Sequence, residues 1–366
     1  MVTPLILQEE KELIGGVKYL PAVSIILPFE PVMSSKNELE YKLKLSVQKV
    51  ESELMKGYTM DKALPVILKL KNLVRNVNFN THKKSVAIFV SPLIEKIIYL
   101  DIAVDENIII DESFEIRDLV CSKKELHRYL LLVLTGKSLK IYLGNTGQFT
   151  RILSEVPENI AAYENDIPEK VANFSDPSYR KEVMLDKFLR HVDIGLDILL
   201  KAYPLPLFVM ATERTIGHFK KKSKNKQFVI DFIHGNFEES TEVELKETIR
   251  PYINDWKNVK QQNLLQILNT AIGSKKLALG IKEVWKAAQQ KKGRLLVVEK
   301  NYRVPAQQGA DPEIIYQKDF SNNNSFYIKD AVDDIIEKVL ENGGDVEFVD
   351  PNLLIDYGHI ALTLYY

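Results

Sequence analysis

The 366-residue sequence carries 49 basic and 50 acidic side chains, a formal net charge of −1, and 45% hydrophobic residues. That balance excludes a global field that draws the chain to nucleic acid, so any such surface must be a local patch, while the apolar share suffices for two or three cores. The single cysteine, Cys121, excludes an internal disulfide and fits a reducing compartment; with neither a basic-then-apolar leader nor an apolar run of about 18 residues, the expectation is a cytoplasmic protein without a membrane span.

Residues 4–13 read as a short leading helix that Gly15-Gly16 stops. The β-branched run 22–28 (AVSIILP) predicts a buried strand. Two amphipathic helices follow. One covers 36–55 with Leu39, Leu43, Leu45, Val47 and Val50; the other covers 61–77 with Leu64, Val66, Ile67, Leu70, Leu73 and Val74 inward and Pro65 in its first turn. Strands at 85–90, 96–100, 107–110 and 114–119 complete an N-terminal mixed α/β domain, residues 1–125.

The runs 127–134 (HRYLLLVL) and 139–143 predict strands on either side of Gly136. Gly144-Asn145-Thr146-Gly147 then turns the chain into a returning strand at 148–153, since Asn and Gly tolerate the positive φ of such turns. The loop 154–177 is the one long irregular connection and therefore the first place to look for chemistry. Met184, Leu185, Phe188, Leu189, Val192, Leu196 and Leu199 mark a helix by their spacing. A buried strand at 205–210, a basic segment, and a strand at 228–233 follow. A helix over 240–272, capped at Ser240 or Thr241 and kinked or restarted at Pro251, closes a central domain, residues 126–273.

The remainder, residues 274–366, predicts a helix at 280–290, a strand at 294–299, a polar loop at 301–325 and a helix at 326–341. Asn342-Gly343-Gly344 stops that last helix, and strands at 346–349 and 361–365 complete a small sheet sandwiched by helices. The chain as a whole is α/β, in three domains.

Charge is concentrated in two places. Residues 212–227 hold Arg214, Lys220, Lys221, Lys222, Lys224 and Lys226 against Glu213 alone, a local +5. Residues 274–294 hold Lys275, Lys276, Lys282, Lys286, Lys291, Lys292 and Arg294 against Glu283, a local +6. The six of the first cluster, with Lys275, Lys276, Lys282 and Lys286 of the second, are the candidate RNA-binding residues, because phosphate contacts by lysine and arginine supply most sequence-independent affinity. Trp285 and Tyr302 can stack on a base, although a tryptophan on an amphipathic helix equally serves a core. The six histidines lack metal-ligand spacing, and no Gly-x-Ser-x-Gly elbow or phosphate-cradling loop is present. Asp333-Asp334 reads as a solvated helix face. No cofactor or metal is expected, and no catalytic residue is assigned.

Residues 277–284 (LALGIKEV), Ala287-Ala288 and 293–298 (GRLLVV) resemble the opening of the third domain of archaeo-eukaryotic class I release factors and Pelota-type rescue factors. The endings 339–349 (VLENGGDVEFV) and 358–365 (GHIALTLY) are similar to that domain too, and Gly144-Asn145-Thr146-Gly147 resembles the hairpin before the catalytic loop of the middle domain. Within that superfamily the chain resembles the bacterial archaeo-eukaryotic release factor-like family. The resemblance implies an RNase H-like central mixed sheet, an L7Ae-like C-terminal α-β-α sandwich, and action on the ribosome or tRNA.

Active release factors carry Gly-Gly-Gln on the middle-domain loop, and this sequence contains none. Thr146-Gly147-Gln148 lies in the hairpin before that loop. Residues 155–176 hold six acidic side chains against Lys170, a local −5 that phosphate repulsion would keep from an RNA-walled centre. The expectation is a non-catalytic RNA- or ribosome-binding factor in translation or ribosome rescue. The alternatives are a peptidyl-tRNA hydrolase with an atypical loop, and a scaffold that docks a protein partner through the C-terminal domain; neither DNA nor membrane is an expected partner.

Overall fold

The structure, a computed structural model, describes residues 13, 20–125, 128–135, 138–145, 149–152, 159–161, 176–202, 205–317 and 327–366. By internal contact the chain divides into two compact units, residues 1–125 with 263–366, and residues 126–262. The expected leading helix, the turn Thr146-Gly147-Gln148 and nearly all of the acidic loop lie outside the described residues.

The first unit begins with β1 (Ala22–Pro28), α1 (Lys36–Gly57), α2 (Met60–Arg75), β2 (Ser85–Val90), β3 (Glu95–Leu100), β4 (Asn107–Asp111) and α3 (Arg117–Glu125). Its sheet runs β3-β2-β1-β4, antiparallel throughout. Alternation along β1 and β2 divides the sheet's faces. Val23, Ile25, Leu27, Val86 and Ile88 meet α1 and α2, while Ala22, Ile26, Ala87 and Phe89 face α3. Ser35 caps α1 by accepting from Glu38 N at 3.3 Å. Pro65 stands in the second turn of α2 rather than the first, because the helix starts at Met60 after Thr59. The expected strand at 114–119 is instead the approach to α3 and its first turn.

The second unit contains β5 (Tyr129–Leu134), β6 (Leu139–Gly144), β7 (Phe149–Ile152), α4 (Pro177–Ala202), β8 (Leu207–Ala211), α5 (Glu213–Lys222), β9 (Val229–His234) and the first part of α6 (Glu242–Gly273). The sheet order is β7-β6-β5-β8-β9, with β6 antiparallel to both neighbours and β5, β8 and β9 parallel. This is the RNase H-like mixed sheet that the resemblance implied. Leu130, Leu132 and Val209 pack under α4 and α5, whereas Leu131, Tyr142, Phe208 and Met210 pack under α6. Thr241 and Glu244 form a capping box at the start of α6, with Thr241 N donating to Glu244 Oε2 at 2.8 Å and Glu244 N to Thr241 Oγ1 at 3.3 Å. The helix continues through Pro251 instead of restarting there.

Gly144, the last residue of β6, is needed for space. It pairs across the hairpin with Tyr129, and a Cβ at this position would lie 2.2 Å from the tyrosine ring. The ring is itself wedged by Phe149 and Phe208 at 6.3 and 5.7 Å between centroids. Gly144→Ala is therefore expected to cost about 1–3 kcal/mol, the usual penalty for overpacking. Chemical denaturation would measure it, and a Tyr129→Leu background should recover most of the loss.

The rest of the first unit adds β10 (Leu277–Leu279), α7 (Gly280–Gln289), β11 (Gly293–Glu299), β12 (Ala306–Gln308), β13 (Ile315–Gln317), β14 (Tyr327–Ile328), α8 (Ala331–Glu341), β15 (Asp345–Val349) and β16 (Ile360–Leu364). The main sheet runs β10-β16-β11-β15, with only the β11–β15 pair parallel. Leu296 and Val298 point to α7 and α8, and Val297 and Ala361 point to Leu264 and Leu268 at the end of α6. These layers form the expected α-β-α sandwich. Within the expected polar loop β12 pairs with β13, and beyond it β14 pairs with the other edge of β12, making a second small sheet. The last helix starts at Ala331, five residues later than its apolar spacing predicts, because Asp330 caps it. Gly343, at φ +77°, ends it as expected, with Gly344 N bonded to Val339 O at 2.9 Å.

Candidate nucleic-acid interface

In the second unit, Thr212 caps α5 by accepting from Thr215 N at 3.4 Å. Thr215, Ile216 and Phe219 bury one side of this helix, leaving Arg214, Lys220, Lys221 and Lys222 exposed. The loop that follows is pinned by Asp193 of α4, whose carboxylate accepts from Ser223 Oγ, from Lys224 N at 3.1 Å and from Asn225 Nδ2 at 3.0 Å. Lys224 and Lys226 remain exposed on either side of buried Asn225. All six basic residues expected here thus belong to one short helix and its exit.

They are not equally available. Glu182 and Asp186 of α4 hold Arg214 at 3.4 Å and Lys222 at 2.9 Å. Lys220 Nζ sits 4.3 Å from the centre of the Phe232 ring. Lys221, Lys224 and Lys226 have no ion pair among the described residues. Exposed pairs such as Arg214–Glu182 contribute about 0–1 kcal/mol, so they yield readily to a phosphate. α5 with its exit can present a basic face to a polyanion.

The second basic cluster is split between the two sides of the C-terminal sheet. Lys282 and Lys286, four residues apart, occupy the outer face of α7, whose inner face buries Ile281, Val284 and Trp285. Trp285 is core: it is 1% exposed, and its Nε1 donates to Pro312 O at 2.9 Å. Tyr302 is half-buried and stacks on His359, with 5.2 Å between ring centroids. Lys275 and Lys276 instead form the turn between α6 and β10, where Lys275 adopts φ +56°. No group of three or more His, Cys, Asp or Glu side chains able to hold a metal occurs among the described residues.

The strongest electrostatic feature escaped the sequence reading. It joins α3 to the C-terminal part of the first unit. Arg117 is 1% exposed, and its guanidinium reaches Asp330 Oδ2 at 2.7 Å and the carbonyl of Tyr302. Asp330 Oδ1 meanwhile accepts from Val304 N at 3.1 Å and Val332 N at 3.0 Å. Asp333, read above as solvated, is buried instead: its Oδ1 accepts from Ile116 N at 3.0 Å and Arg117 N at 2.7 Å, capping α3 from a segment more than 200 residues away. Burial, then Glu115 and Asp330, raise the Asp333 carboxyl well above the usual range. Burial and the neighbouring Asp330 push Glu115 up to about 8. The signal that sequence reasoning missed was Asp330, an acidic residue directly before an apolar-periodic run.

One unit thus holds a mixed β7-β6-β5-β8-β9 sheet between helices, and the other an α-β-α sandwich. Residues 128–292 match the family described as Bacterial archaeo-eukaryotic release factor family 3. No curated protein matches. Among solved structures, ribosome-bound archaeal Pelota is similar at 12% identity over 100% of this chain and 95% of that one, with a TM-score of 0.45. S. cerevisiae Dom34 is similar at 12% over 78% and 75%, with a TM-score of 0.39. The archaeal termination factor aRF1 is similar at 12% over 98% and 96%, with a TM-score of 0.24.

Proposed function

We propose that this protein is a non-catalytic translation or ribosome-rescue factor that binds the ribosome or tRNA. Its contacts are Arg214, Lys220, Lys221, Lys222, Lys224 and Lys226, with Lys275, Lys276, Lys282 and Lys286 as a second set. The observation carrying this reading is the lysine-lined outer face of α5, within the stretch that matches the release-factor family. In this reading residues 1–125, 126–273 and 274–366 are three modules, the last L7Ae-like and able to receive a protein partner, and the protein works in the cytoplasm. The sequence has no Gly-Gly-Gln, so it is expected to release no peptide from a stalled ribosomal complex; release would restore the hydrolase reading.

The test is co-sedimentation with ribosomes on sucrose gradients at low and high salt. Lys220→Glu, Lys221→Glu and Lys222→Glu combined change the local charge by six units. The bound fraction is expected to fall at least about tenfold and the salt dependence to flatten, because each lost phosphate contact lowers the slope by about 0.7–0.9. Unchanged co-sedimentation of the triple variant would overturn the proposal.

A further inference from the structure

The last turns of α6 and the neighbouring strand ends of the C-terminal sheet enclose a groove of about 620 Å³, a size typical of small-ligand sites. One wall is α6, where Asn263, Gln266 and Thr270 alternate with Ile267 and Ala271. The other brings in Lys276 and Arg294 beside the apolar side chain of Leu295. No carboxylate lines the groove. Lys276 Nζ donates to the carbonyl of Tyr365 at 3.2 Å, and exposed Arg294 has no hydrogen bond or ion pair among the described residues. The turn that sets Lys276 in place is fixed by the chain itself, with Lys275 N bonded to Ile272 O and Lys276 N to Ala271 O.

Two cations without a counter-charge select an anion, and a guanidinium fork matches the paired oxygens of a phosphate. The amides of Asn263 and Gln266 supply donors and acceptors for the edge of a base, and Leu295 supplies an apolar surface for its face. We infer that this groove binds a nucleotide through its phosphate, either free in solution or as part of an RNA strand. The inference goes beyond the reading above, since it requires neither a ribosome nor the face of α5.

Equilibrium dialysis with AMP and fluorescence anisotropy with a 5′-labelled ten-residue oligoadenylate test it on the full chain. Binding of AMP, with AMP displacing the oligonucleotide, assigns a free nucleotide; binding of the oligonucleotide alone assigns a strand. In either case Lys276→Ala and Arg294→Ala are each expected to weaken binding about tenfold or more, as loss of a charge-assisted contact does. Thr270→Trp should block the groove with both cations intact, while Lys56→Ala with Lys62→Ala, exposed on α1 and α2, should leave affinity within about twofold. Thermal melts establish that each variant is folded. Absence of binding by both probes up to about 1 mM, or affinity unchanged in Lys276→Ala and Arg294→Ala, overturns the inference. The α5 triple variant keeps the outcomes separate: it should lose ribosomes and still bind AMP.

Discussion

Arg117→Ala is expected to lower the stability of the first unit by about 3–5 kcal/mol, the usual cost of removing one partner from a buried ion pair. Arg117 and Asp330 are 1% and 4% exposed at their side chains, so little solvent is at hand to take over the abandoned carboxylate. The loss also strands the carbonyl of Tyr302, which the same guanidinium satisfies. At roughly 2–4 °C per kcal/mol for a unit of this size, the melting temperature should fall by about 10 °C. Arg117→Met combined with Asp330→Asn should recover much of it, because an uncharged pair needs no compensation and asparagine still caps α8. Differential scanning calorimetry decides the matter: a single variant melting within about a degree of wild type would show that the pair contributes nothing.

Raising the pH from about 5 to 9 should destabilise the protein, and Glu115→Gln should remove much of that dependence. Glu115 is buried, and its Oε1 has no hydrogen-bond partner among the described residues. Its carboxyl, pushed up to about 8 by burial and by Asp330, compares with about 4.3 in an unfolded chain. The folded state therefore holds the proton more tightly. The stability this contributes is fully present below the unfolded value and is lost as pH rises through 8. Each unit of difference corresponds to about 1.4 kcal/mol, so the span amounts to a few kcal/mol. Asp333, raised well above its usual range, and Asp334, raised to about 7 by burial, Asp111 and Glu337, add slope of the same sign. Arg303 and Arg117 face Glu115 and act in the opposite sense. Melting curves of wild type and Glu115→Gln across this range give the answer; parallel curves would mean that Glu115 carries no such proton.

Much of the scaffold was legible because it follows local rules. Strands β5 and β8 are continuous apolar runs and β1 is interrupted only by Ser24, and all three occupy interior positions in their sheets where both faces are covered. Helix α4 carries its buried residues at three- and four-residue spacing, and the glycines after α8 end it where expected. Shorter elements were hidden, strand β10 among them. Helix α3 begins where Asp333 caps it, a partner that no window of sequence contains. Helix α5 is ten residues long with Gly217 inside it, so its lysines masked a buried side of only three residues. The small sheet of β12, β13 and β14 uses two- and three-residue strands, too short for alternation to register.

The candidate site divides in the same way. Charge counting placed the lysines of α5 on the surface, where side-chain chemistry alone predicts them. It could not show that Glu182 and Asp186 stand opposite two of the six, because helix pairing decides that. Nor could it show that the C-terminal cluster is divided, with Lys276 beside the groove and Lys282 and Lys286 across the sheet. Asp333 was misread for a related reason. A carboxylate on an amphipathic helix belongs in water unless another chain segment offers it free N–H groups, and here Ile116 and Arg117 do.

The reach of Asp333 across the chain limits how such proteins can be recombined. Grafting a different leading segment onto residues 263–366 would strand that carboxylate in an apolar seam, unless the graft also opened a helix at the same spot and carried an arginine to meet Asp330. Exchange of the front end between related chains must therefore carry α3 with it as a matched key.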